Sequence, residues 1–249
     1  KMLFSWYAAD YCTDPDFADK RPEERANPSM ASWGDDGYLD QQRLRLPAHK
    51  FRRLHLNLPG SPEGAAFQSE MVIDAIERGI AVRQPEPGVT YHAFVDMSGG
   101  SADDACLGIS HLGHDGRVVL DRVMNQGPPP PFDPRSAVRR FVAVLKEYRI
   151  NTVTGDAYAG ETFRFDFENA GVGYLSSDGK KSEIYEAAEP LLNGHRVVLL
   201  DVPQLEEQLL GLTWRGGRID HPSGEHDDWA NAAAGAIVAA AVTAASSSW

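Results

Sequence analysis

Apolar and polar positions follow different patterns in the two parts of the chain. In the first part, Leu54-His-Leu-Asn-Leu58 has the period-two alternation of a half-buried strand, and residues 71–80 have the spacing of a helix. The segment Arg83-Gln-Pro-Glu-Pro-Gly88 combines two prolines with a glycine, which breaks any regular element. We therefore predict a boundary here, with residues 1–88 as one segment and residues 89–249 as a domain.

Beyond this boundary, short apolar runs lead into alternating helical and strand patterns. Three successive runs with short polar connections favour an antiparallel meander, and α/β units follow it. The last helix is rich in alanine, and its small side chains allow it to lie close against a sheet. The predicted fold class is α/β, a mixed β-sheet flanked by helices on both faces. The predicted strands are residues 91–96, 105–111, 117–123, 152–156 and 197–200, and the predicted helices are residues 134–148, 161–170, 182–192, 203–212 and 227–245.

The composition is that of a globular protein, with 42% apolar and 24% charged residues in 249. No stretch reaches about 18 strongly apolar residues, so we expect no membrane span. Cys12 and Cys106 are too few for a disulfide framework or a four-cysteine zinc site, and they favour an intracellular setting. The formal net charge of −12 argues against a strong non-specific nucleic-acid binder, although carboxylates that hold divalent cations would still allow action on nucleic acid.

Four aspartates stand at the ends of predicted elements. Asp96 ends the first strand of the domain, Asp156 ends the strand after the first helix, and Asp227 and Asp228 open the last helix. In a mixed sheet the two strands can lie side by side, and the last helix can bring its first turn to the same edge. Converging carboxylates repel one another unless a hard divalent cation lies between them. Two such ions, bridged by a shared aspartate, are an arrangement for phosphodiester cleavage.

Each of these aspartates also has an ordinary structural explanation. Aspartate is common at strand ends and at helix N-termini, where it accepts hydrogen bonds from backbone N–H groups. The residues alone therefore leave both a metal site and a set of unrelated structural aspartates open.

Four segments in a fixed order resemble the motifs of one family. They are Phe94-Val-Asp-Met-Ser-Gly-Gly100, Gly155-Asp-Ala-Tyr-Ala-Gly160, Lys181-Ser-Glu-Ile-Tyr185 and His226-Asp-Asp-Trp-Ala-Asn-Ala232. Together they resemble the nuclease domain of the large terminase subunit of tailed double-stranded DNA phages, over residues 89 to about 245. Segments within residues 1–60 look like the end of the terminase ATPase region and its linker. No G-x-x-x-x-G-K-[ST] phosphate loop is present, so we expect a fragment of a longer motor protein that lacks the ATP-hydrolysing part.

The resemblance implies a ribonuclease-H-like fold, with an N-terminal segment derived from the linker and the ATPase region. It also implies a metal-dependent endonuclease that cuts concatemeric viral DNA with two divalent cations, Mg²⁺ or Mn²⁺. Asp96 would then bridge both ions, Asp156 would bind one, and Asp227 or Asp228 the other. The implied partners are double-stranded DNA and, through the whole motor, the small terminase subunit and the portal protein. The implied location is the cytoplasm of the infected bacterial host, with transient docking at the procapsid portal.

Four further residues are candidates for supporting roles. His226 could orient a carboxylate or shuttle a proton, and it could equally cap a helix. Lys181 could contact a DNA phosphate or lie in a solvated turn. Arg215 and Arg218 flank two glycines and could form a DNA-contacting loop or a plain surface turn.

Two alternative functions remain open at this point. A non-catalytic module could hold DNA or the portal while another subunit cuts, but such a module has no reason to assemble four carboxylates. Another ribonuclease-H-like nuclease, such as a junction resolvase, would share the acidic residues.

Overall fold

A computed structural model describes residues 7–9, 15, 19–28, 37–46, 51, 54–58 and 64–246, with the side chains of 157–161 and 244–246 excepted. The chain forms two compact units, which divide between Pro62 and Glu63. In the first unit, α1 (Pro22–Ala26) and α2 (Tyr38–Arg45) are joined by an ion pair of 2.9 Å between Arg43 and the buried Glu23. Leu54 and His55 are helical, so the strand predicted at residues 54–58 is wrong.

The second unit is built on a seven-stranded mixed sheet, in the order β2-β8-β5-β4-β3-β6-β7. The central strands β3, β4 and β5 form the predicted antiparallel meander, and the other neighbours in the sheet are parallel. A small three-stranded sheet, β1-β9-β10, lies in the same unit. The strands are β1 (Gly64–Ala65), β2 (Ile76–Glu77), β3 (Tyr91–Asp96), β4 (Cys106–Leu112), β5 (Val118–Asn125), β6 (Thr152–Gly155), β7 (Gly173–Ser176), β8 (Val197–Leu200), β9 (Thr213–Arg215) and β10 (Arg218–Asp220).

Helices cover both faces of the large sheet, as predicted. One face packs against α4 and α5 through a core that includes Phe141 and Phe167. The other face packs against α3, α6, α7 and α8 through a core that includes Tyr185 and Leu205. The helices of this unit are α3 (Ser69–Ala75), α4 (Pro134–Glu147), α5 (Ala157–Asn169), α6 (Lys181–Asn193), α7 (Pro203–Gly211) and α8 (Asp228–Ser246). The architecture is therefore a mixed sheet between two helical layers.

Residues 64–80 belong to the second unit and not to a separate linker. Strand β2 pairs in parallel with β8 at the edge of the large sheet, and β1 pairs with β9. Val72 and Ile76 are buried in the core beneath α6 and α7, because their apolar side chains gain more from covering β8 than from exposure to water. The structural boundary thus precedes the predicted one at Gly88. Whether residues 1–88 derive from an ATPase region stays a prediction.

The alanine-rich helix α8 lies unusually close to the middle of the sheet. A Cβ atom at Gly108 of β4 would overlap with the carbonyl oxygen of Ala232, and one at Gly235 would overlap with the ring of Phe94. Small residues on both sides therefore set the distance between α8 and the sheet, as the composition of this helix predicted.

Two smaller sequence predictions concern the cysteines and the membrane. Cys106 is a buried free thiol in β4, whereas Cys12 lies outside the described residues. No helix in the described part of the chain combines the length and the apolar character needed to cross a membrane.

We expect Gly108→Ala to lower the free energy of unfolding by about 1–3 kcal/mol, because the added methyl group displaces α8 from the sheet. Gly64→Ala is the matched control, since no heavy atom lies within 4 Å of a Cβ at that position. Urea denaturation of both variants measures the difference. Equal stability of the two variants would contradict the close packing described for α8.

Candidate active site

Asp96 and Asp156 lie side by side at the ends of two neighbouring strands. Strands β3 and β6 run parallel, with Val95 opposite Gly155, so the residues that follow are also neighbours. Side chains alternate between the faces of a strand, which places Asp96 on the same face as Phe94. Phe94 packs against α8, so this face of the sheet is the one that α8 covers. The sequence predicted this pairing of strands.

The first turn of α8 reaches the same edge of the sheet. The side-chain amide of Asn231 donates a hydrogen bond of 2.7 Å to Oδ2 of Asp96, and Asn231 itself is 1% exposed. Because residues three and four apart share a helix face, Asn231 lies one turn from Asp227 and Asp228. Sequence analysis missed Asn231. Its spacing from the two aspartates was the one signal that could have identified it.

The N-terminus of α8 is capped by a side chain from another helix. Oε1 of Gln208 in α7 accepts hydrogen bonds from the backbone N–H groups of Trp229 (2.8 Å) and Ala230 (3.1 Å). These are the donors that an Asp227 side chain would satisfy if it acted as the cap. The carboxylate of Asp227 is therefore available for other partners.

Lys181 and Tyr185 hold the carboxylate of Asp227. The ammonium of Lys181 donates to Oδ1 of Asp227, and the hydroxyl of Tyr185 donates to Oδ2 at 2.9 Å. Lys181 and Tyr185 are one turn apart in α6, so a single helix face supplies both contacts. Asp227 is 1% exposed, and this pairing is what allows a charged group to be buried there. Lys181 is thus brought into the carboxylate cluster rather than into a solvated turn.

Burial and mutual repulsion favour protonation of two carboxylates in this cluster. Burial raises the pKa of Asp96 to about 7, and the charges of Asp228 and Asp227 contribute to the rise, against the attraction of Lys181 and Asn231. Burial likewise raises the pKa of Asp228 to about 6, with Asp227 and Asp103 contributing to the rise. Burial alone would lower the pKa of Lys181, but attraction to Asp227 and Asp96 outweighs it, so its pKa is raised.

Asp156 is held at the edge of this cluster through its backbone. The hydroxyl of Tyr174 donates a hydrogen bond of 3.2 Å to the carbonyl oxygen of Asp156. A Cβ atom at Gly155 would overlap with this hydroxyl, so the preceding glycine is required for the contact. Burial raises the pKa of Tyr174 well above its ordinary value, with repulsion from the charges of Asp156 and Asp96 contributing. The end of β6 is therefore fixed next to β3.

The loop after β3 adds two acidic residues that the sequence analysis did not select. Asp104 accepts hydrogen bonds from Gln126 (2.7 Å), Asn125 (3.0 Å) and the indole of Trp229 (3.3 Å), which tie this loop to β5 and α8. Asp103 lies 3.2 Å from Nδ1 of His226, and both side chains are exposed. Asp104 is fully engaged in structural contacts, whereas Asp103 and His226 face solvent beside Asp228.

Arg215 and Arg218 lie in an antiparallel hairpin and not in an irregular loop. Strands β9 and β10 pair Arg215 with Arg218 across a turn at Gly216 and Gly217, whose φ angles of 54° and 82° favour glycine. Both arginines are exposed. A cavity of about 340 Å³ separates this hairpin from the start of α6; its lining includes Lys180, Lys181, Arg218, Glu183, Glu186 and Asp220, so the charges balance.

The predicted aspartates converge but do not form a closed ligand cage. Among the described residues, no three of Asp96, Asp156, Asp227 and Asp228 offer oxygens that all lie within 4.8 Å of one another. Repulsion between carboxylates and the ammonium of Lys181 account for this separation. Asp228 differs from Asp227, because in the described part of the chain its carboxylate has no hydrogen-bond partner.

Comparisons with known proteins identify the fold. No family model matches the chain, and no curated protein matches it. Solved structures do match. The large terminase of bacteriophage HK97 has 16% identity and a TM-score of 0.57, and the match covers 94% of this chain and 56% of that one. The large terminase of a thermophilic bacteriophage has 11% identity and a TM-score of 0.62, covering 82% and 52%.

A structure of the nuclease alone matches over nearly its whole length. The large terminase nuclease of thermophilic phage G20c with bound magnesium has 16% identity and a TM-score of 0.56, covering 70% of this chain and 98% of that one. The chain thus spans about half of the full-length terminases that it matches and almost all of this nuclease. The resemblance seen in the sequence motifs is matched by the structure: this chain has the ribonuclease-H-like fold of the nuclease domain of phage large terminases.

Proposed function

We propose that this chain is the nuclease part of a phage DNA-packaging motor and that it cleaves double-stranded DNA by metal-dependent phosphodiester hydrolysis. The observation that carries the proposal is the meeting of Asp96, Asp156 and Asp228 on one face of a terminase-like sheet. Several carboxylates around one lysine leave an excess of negative charge, which a divalent cation would neutralise. A module that only docks on DNA or on the portal gains nothing from this arrangement.

The donor set fits a hard divalent cation. All the candidate ligand atoms of Asp96, Asp156 and Asp228 are carboxylate oxygens, the type that Mg²⁺ and Mn²⁺ prefer. The raised pKa values of Asp96 and Asp228 belong to groups whose charge is poorly compensated by the protein itself. Bound cations would supply Lewis-acid stabilisation of the phosphate and activation of a water molecule. Two ions, the cutting of concatemers, and docking to a small subunit and a portal are parts of the proposal implied by the family.

Asp228 is a better candidate for the third ligand than Asp227. Both oxygens of Asp227 already accept hydrogen bonds, one from Lys181 and one from Tyr185. The carboxylate of Asp228 has no such partner among the described residues, and it lies close enough to raise the pKa of Asp96. We therefore assign Asp227 to hold Lys181 beside the site, and Asp228 to bind a cation together with Asp96.

The remaining residues have positioning roles in this proposal. Asn231 holds Oδ2 of Asp96 and so fixes the direction of Oδ1. Partners of this kind, which orient a metal ligand, affect metal affinity by about 10–100-fold when they are removed. Exposed His226 and the hairpin arginines Arg215 and Arg218 lie where a DNA strand would approach, and we propose that they contact it.

We expect Asp96→Asn to reduce cleavage of plasmid DNA in Mg²⁺ or Mn²⁺ by about a thousand-fold or more. The loss of several kcal/mol of metal-ion stabilisation has this effect, since about 1.4 kcal/mol corresponds to a tenfold change in rate. Asp74→Asn is the matched control, because Asp74 is an exposed residue of α3. Gel assays of both variants, with circular dichroism to verify folding, measure the effect. Undiminished cleavage by a folded Asp96→Asn variant would refute the proposal.

We also expect a divalent cation to raise the melting temperature more at about pH 8 than at about pH 5. The pKa of Asp96 is raised from 3.8 to about 7 in the folded chain, so the native state binds more protons than the unfolded state between these values. Stability without metal therefore falls as pH rises through this window, and the penalty is complete above about pH 7. A cation bound to the native state removes the penalty.

Differential scanning fluorimetry with millimolar Mn²⁺ measures this dependence. Asp96→Asn is expected to lose most of the difference between the two pH values, and Asp74→Asn to retain it. A metal-induced shift that is equal at both pH values in the unsubstituted chain would contradict the electrostatic origin of the effect.

A further inference from the structure

A second group of ligand atoms lies beside the aspartate cluster, at the base of the β9–β10 hairpin. Asp220 ends β10, His221 follows it, and Asp227 precedes α8. One ligand atom from each of these three residues lies within 4.8 Å of the other two. Nε2 of His221 is 3.7 Å from Oδ1 of Asp220 and 3.8 Å from Oδ1 of Asp227. The group therefore combines one imidazole nitrogen with two carboxylate oxygens.

The ring of His221 is oriented by a contact outside this group. Nδ1 of His221 lies 2.9 Å from the carbonyl oxygen of Pro222, and because a carbonyl only accepts, Nδ1 donates the hydrogen bond. In the neutral ring the proton is therefore on Nδ1, and Nε2 carries the lone pair that faces the two carboxylates. Without a cation these groups repel one another. Histidines that bind metals characteristically donate their other N–H to a carbonyl or a carboxylate in this way.

The spacing of the three atoms suits a small four-coordinate ion. Metal–ligand bonds of about 2.1 Å at a tetrahedral angle place the ligand atoms about 3.4 Å apart. The observed separations of 3.7 Å and 3.8 Å require the groups to close by only a few tenths of an ångström. A water molecule would complete the fourth position.

Lys181 does not block this arrangement. A carboxylate oxygen has two lone pairs, so Oδ1 of Asp227 can accept the ammonium of Lys181 with one and bind a cation with the other. The site also has access to solvent, since the side chains of Asp220 and His221 are 59% and 34% exposed.

We propose that Asp220, His221 and Asp227 form a second cation site, separate from the Asp96–Asp156–Asp228 cluster, which binds transition metals such as Zn²⁺ and Co²⁺ in preference to Mg²⁺. An imidazole ligand suits Zn²⁺ and Co²⁺, whereas Mg²⁺ requires oxygen ligands in octahedral geometry. The two sites are therefore distinguished by the chemistry of their ligands. Magnesium would occupy the all-oxygen cluster and leave this site to a transition metal.

The test is the visible absorption of Co²⁺ bound to the chain with Asp96→Asn, in which the all-oxygen cluster is disabled. Tetrahedral cobalt absorbs strongly in the visible region and octahedral cobalt only weakly, so occupation of the proposed site produces a strong band. We expect the band to be lost with the added substitution His221→Ala and retained with His114→Ala, a matched change of an exposed histidine remote from the hairpin. Excess Mg²⁺ is expected to leave the band unchanged.

Asp220→Asn provides a second variant whose folding is secure, because the Asp220 side chain is mostly exposed. It is expected to weaken cobalt binding at least about tenfold, as the loss of one of three ligands requires. No tetrahedral band, or a band that survives both His221→Ala and Asp220→Asn, would overturn the proposal. This outcome is independent of the nuclease assignment, which plasmid cleavage in Mg²⁺ tests on its own.

Discussion

Repulsion between buried carboxylates is the constraint on which the rest of this structure depends. Asp96 and Asp228 are drawn out of water next to Asp227, and a raised pKa of Asp96 and of Asp228 is the direct consequence. The chain partly offsets the repulsion with Lys181, Tyr185 and Asn231, which donate to the carboxylates from two helices. The residual repulsion makes the site unfavourable for stability and favourable for cation binding, a combination typical of functional sites.

Close packing of α8 converts this repulsion into defined geometry. Gly108 and Gly235 allow the helix to approach the sheet, and Gln208 caps its first turn, so the helix N-terminus does not need the Asp227 side chain. The aspartates at the start of α8 are then held against the ends of β3 and β6 by a rigid element. Preorganisation of this kind is what a catalytic metal site requires, because ligands on rigid elements lose little entropy when an ion binds.

The sequence predicted the frame of the site well because its signals are local. The alternation in residues 91–96 and the alanine-rich pattern of residues 227–245 each identify an element, and an aspartate stands at the end of each. What was missed depends on contacts between distant segments. Strand β7 has only four residues and exists through pairing with β6, and the capping role of Gln208 depends on how α7 lies against α8. The strand predicted at Leu54–Leu58 is wrong because alternation over five residues also fits a helical turn.

The most direct test of cation sharing by these aspartates is a crystal of this chain soaked in Mn²⁺ and measured at the manganese absorption edge. We predict an anomalous peak bonded to carboxylate oxygens of Asp96 and Asp228, with Asp156 contributing to the same cluster. The peak is expected to disappear in crystals of Asp96→Asn. No anomalous peak beside Asp96, in well-ordered crystals that contain manganese elsewhere, would contradict the claim that these aspartates share a cation.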